Sequence, residues 1–497
     1  MTAWPQALNA YEFFLAERLR EGRGGMPALR LDDRAVTYLE VDRLTAGFSN
    51  ALNDAGVTRG DRILLVMPDG LEFAAGLLGT MRLGAVAVML NPGLKPDALS
   101  AIVDLSKAAA AVVDPSHVDR FEAAGPSWRP FLVDPTTVEE SSVGHPTEET
   151  APDDPALWLF SGGTTGVPKA VVQTHKSLVN TTRLYGQASL GLSDSDVTLA
   201  VPKLYFGYAT GSNLLFPFSV GASAVLFEEH PTPEALFSRI ERHRPTVLVN
   251  VPSAINQMVS APDAGSRDLS SLRLATSAGE ALPVSLYHRW KDVFGVELLD
   301  GLGTAEMWHI FITNTVDDVK PGTLGKVVPG YEIKACDEEG RQVPAGEVGR
   351  LWVRGESLAL GYYENPELTE EVFRGEWAVA GDLVSIDPEG YVTHRGRADD
   401  AIKVKGKWFR PQEVESVLLE HDAVKECAVV AVDDDAGLAR PVAFVVTTTV
   451  VSEEELTDWA LQHLEAYKHP RSVYFVDELP QTHLGKIDRG ALKRAAH

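Results

Sequence analysis

With 497 residues, 44% of them hydrophobic, the chain can bury several cores, as about three ordinary units or one large and one small. Its 70 acidic and 45 basic residues leave a formal charge of −25, which argues against a nucleic-acid partner because phosphate neutralisation needs a basic surface. Only Cys336 and Cys427 are present, too far apart in sequence for a disulfide framework or a zinc site. Together with a mixed-charge N-terminus that lacks signal-peptide layout, this predicts a cytoplasmic protein.

The first third alternates two periodicities. Strands are predicted at 61–67, 85–90 and 109–113, with helices at 71–83 and 96–105 between them. Strand, crossover helix, strand is the recipe for a parallel sheet covered on both faces. The stretch 135–155, rich in Pro, Thr, Ser and acids, predicts a surface connection between subdomains. The alternation resumes with strands at 170–172, 224–227 and 247–251.

The uncharged run Leu204–Phe227 is long enough for a bilayer. Gly207, Gly211, Pro217 and Gly221 interrupt it, so it predicts a buried, turn-rich core segment and no membrane span. From Gly322 to Tyr391, short strands between glycine turns predict a β-rich subdomain. After Arg397, helices at 411–420 and 453–464 and strands at 426–432 and 441–447 predict a compact α+β unit. The fold class is therefore α/β: a large N-terminal domain (1–397) of αβα-layered, mostly parallel sheets plus a β-rich subdomain, and a small C-terminal domain (398–497).

The strongest local motif is Ser161-Gly162-Gly163-Thr164-Thr165-Gly166-Val167-Pro168-Lys169. Small residues let the backbone approach an anion, hydroxyls donate hydrogen bonds, and Lys169 adds positive charge. It is not a Walker loop, since Val-Pro-Lys follows Gly166 where Lys-Ser/Thr is required. Four further motifs follow in order, with a fifth at the C-terminus: Ser277–Pro283, Asp300-Gly301-Leu302-Gly303-Thr304-Ala305-Glu306, Ala380-Gly381-Asp382, Gly396–Asp400 and Leu484-Gly485-Lys486-Ile487-Asp488-Arg489.

In this order the motifs resemble the adenylate-forming superfamily of acyl-CoA synthetases, peptide-synthetase adenylation domains and luciferases, over essentially the whole chain. The resemblance implies a nucleotide site of Ser161, Gly163, Thr164, Thr165, Gly166 and Lys169 on the phosphates. Gly279, Glu280, Ala281, Asp300 and Gly301 would form the adenine slot, Asp382 would hold the ribose hydroxyls, and Arg397 would sit near ribose and phosphate. Glu306 matches the ligand of Mg²⁺, a hard cation suited to carboxylate oxygen. Lys486 matches the lysine that bridges carboxylate and α-phosphate during adenylation. Asp399 matches the hinge about which a mobile C-terminal domain turns between half-reactions. Lys405, Gly406, Lys407 and Trp408, in the run Lys403–Trp408, would then approach coenzyme A.

Three segments resemble benzoate–CoA and related aryl-acid ligases: Pro202–Tyr208, Glu306–Phe311 and Asp400–Trp408. They imply an acid pocket of Tyr205, Phe206, Gly207, Tyr208, Gly303, Trp308 and His309, suited to an aromatic or bulky cyclic carboxylic acid. Gly207 and Trp308 depart from a benzoate enzyme's pattern. Four more departures fall on the nucleotide side: Gly162, Ala305 and Ala380 each replace a hydroxyl residue, and Ala170 replaces a glycine. Each lost hydrogen bond to a charged group costs about 1.5–3 kcal/mol.

Several readings stand. One is a complete ligase using ATP, Mg²⁺ and CoA. Another is an enzyme restricted to thioesterification of acyl-AMP made by a separate adenylating enzyme. The others are an adenylation enzyme that loads a carrier protein, and a non-catalytic binding protein.

Overall fold

The computed structural model describes residues 4–161, 169–398, 402–404, 407–433, 439–480 and 487–496, with 161, 402–404, 407–409 and 433 described by backbone alone. The chain forms two compact units. The first is Met1–Leu282, Leu286–Ile333 and Val353–Ala378; the second is Pro283–Ser285, Lys334–Trp352 and Val379–His497.

The first unit carries strands β1 (Pro27–Arg30), β2 (Ala35–Thr37), β3 (Arg62–Val66), β4 (Val86–Met89), β5 (Ala110–Val113), β6 (Phe131–Val133), β7 (Pro155–Ser161) and β8 (Lys169–Thr174). It continues with β9 (Val197–Ala200), β10 (Ser223–Val225), β11 (Val247–Asn250), β12 (Leu274–Ser277), β13 (Leu298–Gly303), β14 (Ile310–Thr313) and β15 (Lys326–Val327). Two sheets result, ordered β6-β5-β3-β4-β7-β8 and β15-β14-β13-β12-β11-β9-β10-β1-β2. β5, β3 and β4 of the first sheet and β11, β12 and β13 of the second run parallel, with β4, β5 and β11 buried along their length, as expected of apolar, β-branched strands covered on both faces. Leu199, Leu248 and Ala275 of the larger sheet pack against Leu236, Phe237 and Ile240 of the helix Pro233–His243 and Ile255 of the helix Pro252–Val259.

Three expectations need correction. The strand at 170–172 belongs to β8, which pairs antiparallel with β7 and does not continue the parallel alternation. The stretch 135–155 links β6 to β7 inside one sheet, so it is not a connection between subdomains. Its backbone is tied down, with Glu148 N donating to Arg82 O (2.9 Å) and Leu8 N to Thr150 O (2.8 Å). The run 204–227 is buried but largely helical, continuous from Gly207 to Val220 through a π-turn at Gly211–Leu215. Among the described residues no helix is long and apolar enough to cross a membrane.

In the second unit, Val424–Asp433, Ala439–Thr447 and Ser472–Phe475 form a three-stranded sheet. Alternation decides its two faces. Val429, Ala443 and Val445 pack against Val414 and Leu418 of the helix Pro411–Leu419 and Leu456 and Ala460 of the helix Glu453–His463. Ala428, Val430, Val442 and Phe444 face Leu479 and Leu492, the latter on the helix Arg489–Ala495.

Candidate active site

Strands β7 and β8 set the base of the expected phosphate loop, because Ser161 stands opposite Lys169 in their antiparallel register. Gly162, Gly163, Thr164, Thr165 and Gly166 lie outside the described residues. So do Asp399, Lys405, Gly406 and Lys486. Lys407 and Trp408 fall on the strand Lys407–Phe409, paired antiparallel with Ile402–Val404.

The expected adenine slot sits at the ends of β12 and β13, where Ser277 is the register partner of Asp300. Asn314 holds the Asp300 backbone, its N donating to Asp300 O (3.0 Å) and its Nδ2 to the same oxygen (3.1 Å). Asp300 Oδ1 and Ser277 Oγ are both buried and make no hydrogen bond of full geometry among the described residues, though Ser277 and Gly301 N lie near enough to the carboxyl to oppose its rise. Burial pushes the Asp300 carboxyl up to about 8. A buried acceptor without a well-placed donor is costly unless a ligand supplies one, and an exocyclic amine is such a donor. Gly279 adopts φ +89° beyond β12, and Glu280 turns back to accept hydrogen bonds from Ser253 N (2.9 Å) and Oγ (3.1 Å). Ala281, next in the chain, is exposed.

Five residues beyond Asp300 begins the single turn Ala305–Met307, which carries Glu306. Three contacts fix it. Gln173 Nε2 of β8 donates to Ala305 O (2.5 Å), Ala359 N donates to Glu306 O (2.8 Å), and the Tyr362 hydroxyl donates to Glu306 Oε1. Among the described residues no group of three or more His, Cys, Asp or Glu gathers as a metal cage. One carboxylate on a fixed turn suits Mg²⁺ carried by substrate phosphates, since that ion keeps waters and takes few protein ligands.

Gly303, Trp308 and His309, expected around the acid, cluster with Gly207 and Tyr208 of the helix that begins at Gly207. Close approach requires glycine at 303, where a Cβ would lie 2.5 Å from His309 O. His309 Nε2 lies 3.0 Å from Tyr208 O and 3.1 Å from Ser212 Oγ, and Nδ1 accepts from Ile310 N (2.8 Å). These partners assign the proton to Nε2, and burial pushes the imidazole down to about 3, so it stays neutral. The Tyr208 hydroxyl shares a hydrogen bond with Thr276 Oγ1 (2.6 Å), and its ring lies 5.4 Å from His309. Trp308 adopts φ +66°, a left-handed conformation unusual for a bulky residue, and packs edge-on against Phe216. Its side chain is buried, and among the described residues Nε1 has no partner.

A Cβ at Gly207 would press on Leu159 Cδ1 at 2.9 Å. Tyr205 and Phe206 pack as a tilted pair, ring centroids 4.7 Å apart and planes at 60°. Lys203 and Asp69 anchor their loop: Lys203 Nζ donates to Phe227 O (2.6 Å), and Asp69 Oδ1 accepts from Leu204 N (2.8 Å). Burial pushes Lys203 down to about 8 and Asp69 up to about 7.

Within the second unit, the antiparallel strands Trp377–Ile386 and Val392–Arg397 place Asp382 opposite Arg397. Asp382 Oδ1 lies 3.0 Å from His394 Nε2, and Oδ2 lies 3.8 Å from Arg397 Nη1. Ala380 O accepts from Arg350 Nε (2.9 Å).

The structure thus joins Asp300, Gly301, Gly303, Glu306, Gly207, Tyr208, Trp308 and His309 around one strand and its turn, and pairs Asp382 with Arg397. Sequence reasoning missed Gln173, Tyr362, Thr276, Ser212, His394 and Tyr185, whose ring lies 5.5 Å from that of His309. Only Tyr362, in the aromatic pair after Gly361, stood in a recognisable local pattern.

A family model for AMP-binding enzymes matches residues 16–363, and one for the AMP-binding enzyme C-terminal domain matches 413–486. The chain belongs to the AMP-binding enzyme family, with the fold of adenylate-forming enzymes, and groups within it with aryl-acid CoA ligases. It is 38% identical to the benzoate–CoA ligase of Thauera aromatica over 99% of this chain and 97% of that one. The crystal structure of the anthranilate–CoA ligase AuaEII in complex with anthranoyl-AMP superposes with a TM-score of 0.93 at 37% identity, covering 99% of this chain and 98% of that one. A benzoate–CoA ligase from Burkholderia xenovorans LB400 gives 0.89 at 38% identity, covering 98% and 99%.

Proposed function

We propose that the chain is a complete aryl-acid–CoA ligase: acid and ATP give acyl-AMP and pyrophosphate, and CoA then displaces AMP to give the thioester. One observation carries this reading. The stretch from Asp300 to Glu306 holds a buried acceptor short of a full hydrogen bond at one end, the glycine packed on the His309 cluster in its middle, and an oriented carboxylate at the other. This arrangement along β13 and the turn after it supports neighbouring positions for adenine, acyl group and phosphate-bound metal.

Each residue has a role derived from its chemistry. Tyr208, His309, Gly303 and Gly207, with Tyr205, Phe206 and Trp308, shape an apolar slot for a flat ring. Asp300, Gly301 and Gly279–Ala281 take the adenine. Asp382 accepts from the ribose hydroxyls, with Arg397 beside it. Glu306 would hold Mg²⁺, which when bound neutralises phosphate charge. Ser161, the 163–166 loop and Lys169 take the phosphates, and Lys486 offsets charge that develops on the α-phosphate. The 398–497 domain turns about Asp399, bringing Lys405, Gly406, Lys407 and Trp408 to CoA.

The second reading, thioesterification of an adenylate made by a separate enzyme, draws on the departures at Gly162, Ala170, Ala305 and Ala380. The Gln173 and Tyr362 contacts favour the complete ligase, because they fix the Ala305–Glu306 turn without the missing hydroxyl. A panel of benzoates, anthranilate and polycyclic aryl acids, and their synthetic adenylates, offered to CoA or a holo-carrier tests both. Acid-dependent ATP–pyrophosphate exchange with acyl-CoA formation is the expected result. CoA ester from the adenylate alone would establish the second reading, carrier loading without CoA ester an adenylation enzyme, and no product from either donor a binding protein.

A further inference from the structure

Asp69 and Lys203 are buried in the larger unit and take no part in the chemistry assigned above. Asp69 follows β3 of the first sheet, and Lys203 follows β9 of the second. Aspartate and lysine are rarely buried this deeply unless paired. An aspartate just before a helix ordinarily caps it, and the helix Leu71–Arg82 begins two residues after Asp69. Gly70 is the N-cap there, with no side-chain cap. Asp69 Oδ1 instead accepts from Leu204 N (2.8 Å), 135 residues away in the chain.

Leu204 is held at its carbonyl as well. The Thr210 hydroxyl donates to Leu204 O and lies 3.1 Å from Phe206 O. Between these two grips the chain turns tightly, Phe206 N donating to Lys203 O (2.9 Å). Lys203 Nζ ties the turn to Phe227 O (2.6 Å) and lies 3.6 Å from the Phe227 ring centroid. The peptide that leads into Tyr205 is therefore fixed from outside the turn. Tyr205, Phe206 and Tyr208, all assigned to the acid slot, follow directly. Asp69 stands near enough to the Tyr205 hydroxyl to add to the burial that pushes it up to about 12. A slot for a flat ring recognises by shape, and a displacement of about 1 Å can cost on the order of a hundredfold in rate.

We infer that Asp69 and Thr210, holding Leu204 at its N and O, are positioning residues that set the acid slot and thereby the affinity for the aryl acid, but not that for ATP. The inference rests on the reading above, in which Tyr205, Phe206 and Tyr208 line that slot.

The test compares wild type, D69A, D69N and T210V in acyl-CoA formation from benzoate, anthranilate or 2-naphthoate, measuring KM for acid and for ATP, with melting followed by circular dichroism. Asparagine keeps the Oδ1 acceptor and resembles the neutral carboxyl that burial favours at Asp69. D69A and T210V should each raise the acid KM roughly tenfold or more, with the ATP KM within about twofold. D69N should stay within about threefold of wild type on both. A defect of folding alone lowers melting and the amount of active enzyme while leaving both KM values in place. T210V decides the matter if D69A does not fold. Acid and ATP KM rising together, no rise in the acid KM, or D69N as impaired as D69A would overturn the inference. F206A alters the slot directly, so an unchanged acid KM in that variant would overturn the slot reading, and this inference with it. No CoA ester from wild type with any of the three acids and ATP would overturn the ligase reading itself.

Discussion

At the scale of single residues, Tyr362 is the protein group seen to orient the carboxylate assigned to the metal. A hydrogen bond to a charged acceptor contributes about 1.5–3 kcal/mol, and its removal leaves Glu306 free to swing away from the phosphates. Y362F should therefore raise the Mg²⁺ concentration that half-saturates ATP binding roughly tenfold, with AMP affinity unchanged. Titration of bound Mn²⁺ by electron paramagnetic resonance checks this apart from turnover, and an unaltered metal requirement would rule the role out. His309 makes a second prediction, for stability. Its imidazole is held down to about 3 by burial, and His175, likewise buried, to about 4. The unfolded chain, with histidines near 6.5, takes up protons first, so stability is lost as pH falls from about 6.5 towards 3. At pH 5 each histidine accounts for about 2 kcal/mol of that loss. H309N should be less stable than wild type at pH 7.5 yet lose less between pH 7.5 and 5, as read from urea midpoints.

At the scale of elements, the helix Gly207–Val220 is the part of the site most dependent on a distant partner. Its π-turn sets Gly211 against the His309 ring, where a Cβ would stand 2.5 Å from Cδ2 and 2.9 Å from Phe216 Cζ. A buried ring held by Tyr208 O, Ser212 and Ile310 N has nowhere to retreat. G211A should cost roughly 1–3 kcal/mol through overpacking and raise the KM for the acid while leaving AMP binding intact. Unchanged KM with a lowered melting temperature would mean that the contact is structural only. This element also marks where the sequence stops being readable. The apolar runs of β3, β4 and β5 announce buried parallel strands by themselves, and ordered motifs single out Asp300, Glu306 and Asp382 as the residues proposed for the nucleotide. A helix that accepts a π-turn because an imidazole about a hundred residues later fills its groove leaves no local period to read. The same holds for Thr276, bonded to the Tyr208 hydroxyl, and Gln173, bonded to the Ala305 backbone oxygen, each contact joining positions far apart in the chain. In 135–155 the polar composition points to solvent, but it is the backbone, at Glu148 and Thr150, that pins the segment to the sheet, and composition does not report backbone bonds.

At the scale of the whole molecule, the proposed reaction needs Lys486 beside the α-phosphate while the carboxylate attacks it and releases pyrophosphate, and later the CoA thiol at the acyl carbon with AMP leaving, two steps that call for different groups at one site. The proposed answer is a single backbone pivot at Asp399, between Arg397, which belongs with Asp382, and the 403–408 segment assigned to CoA. Proline there fixes φ near −65° and removes an N–H, so the backbone loses the range a pivot needs while the flanking sheets keep their own cores. D399P should hold the molecule in one arrangement. One half-reaction should stay within about tenfold of wild type while the other, and overall acyl-CoA synthesis, fall by on the order of a hundredfold or more. D399P should alter which face is offered and so lower overall synthesis below its surviving half-reaction. If D399P lowered exchange, thioester formation and overall synthesis by one common factor, the substitution would be acting on folding, and the two chemistries would need a route that does not turn at this residue.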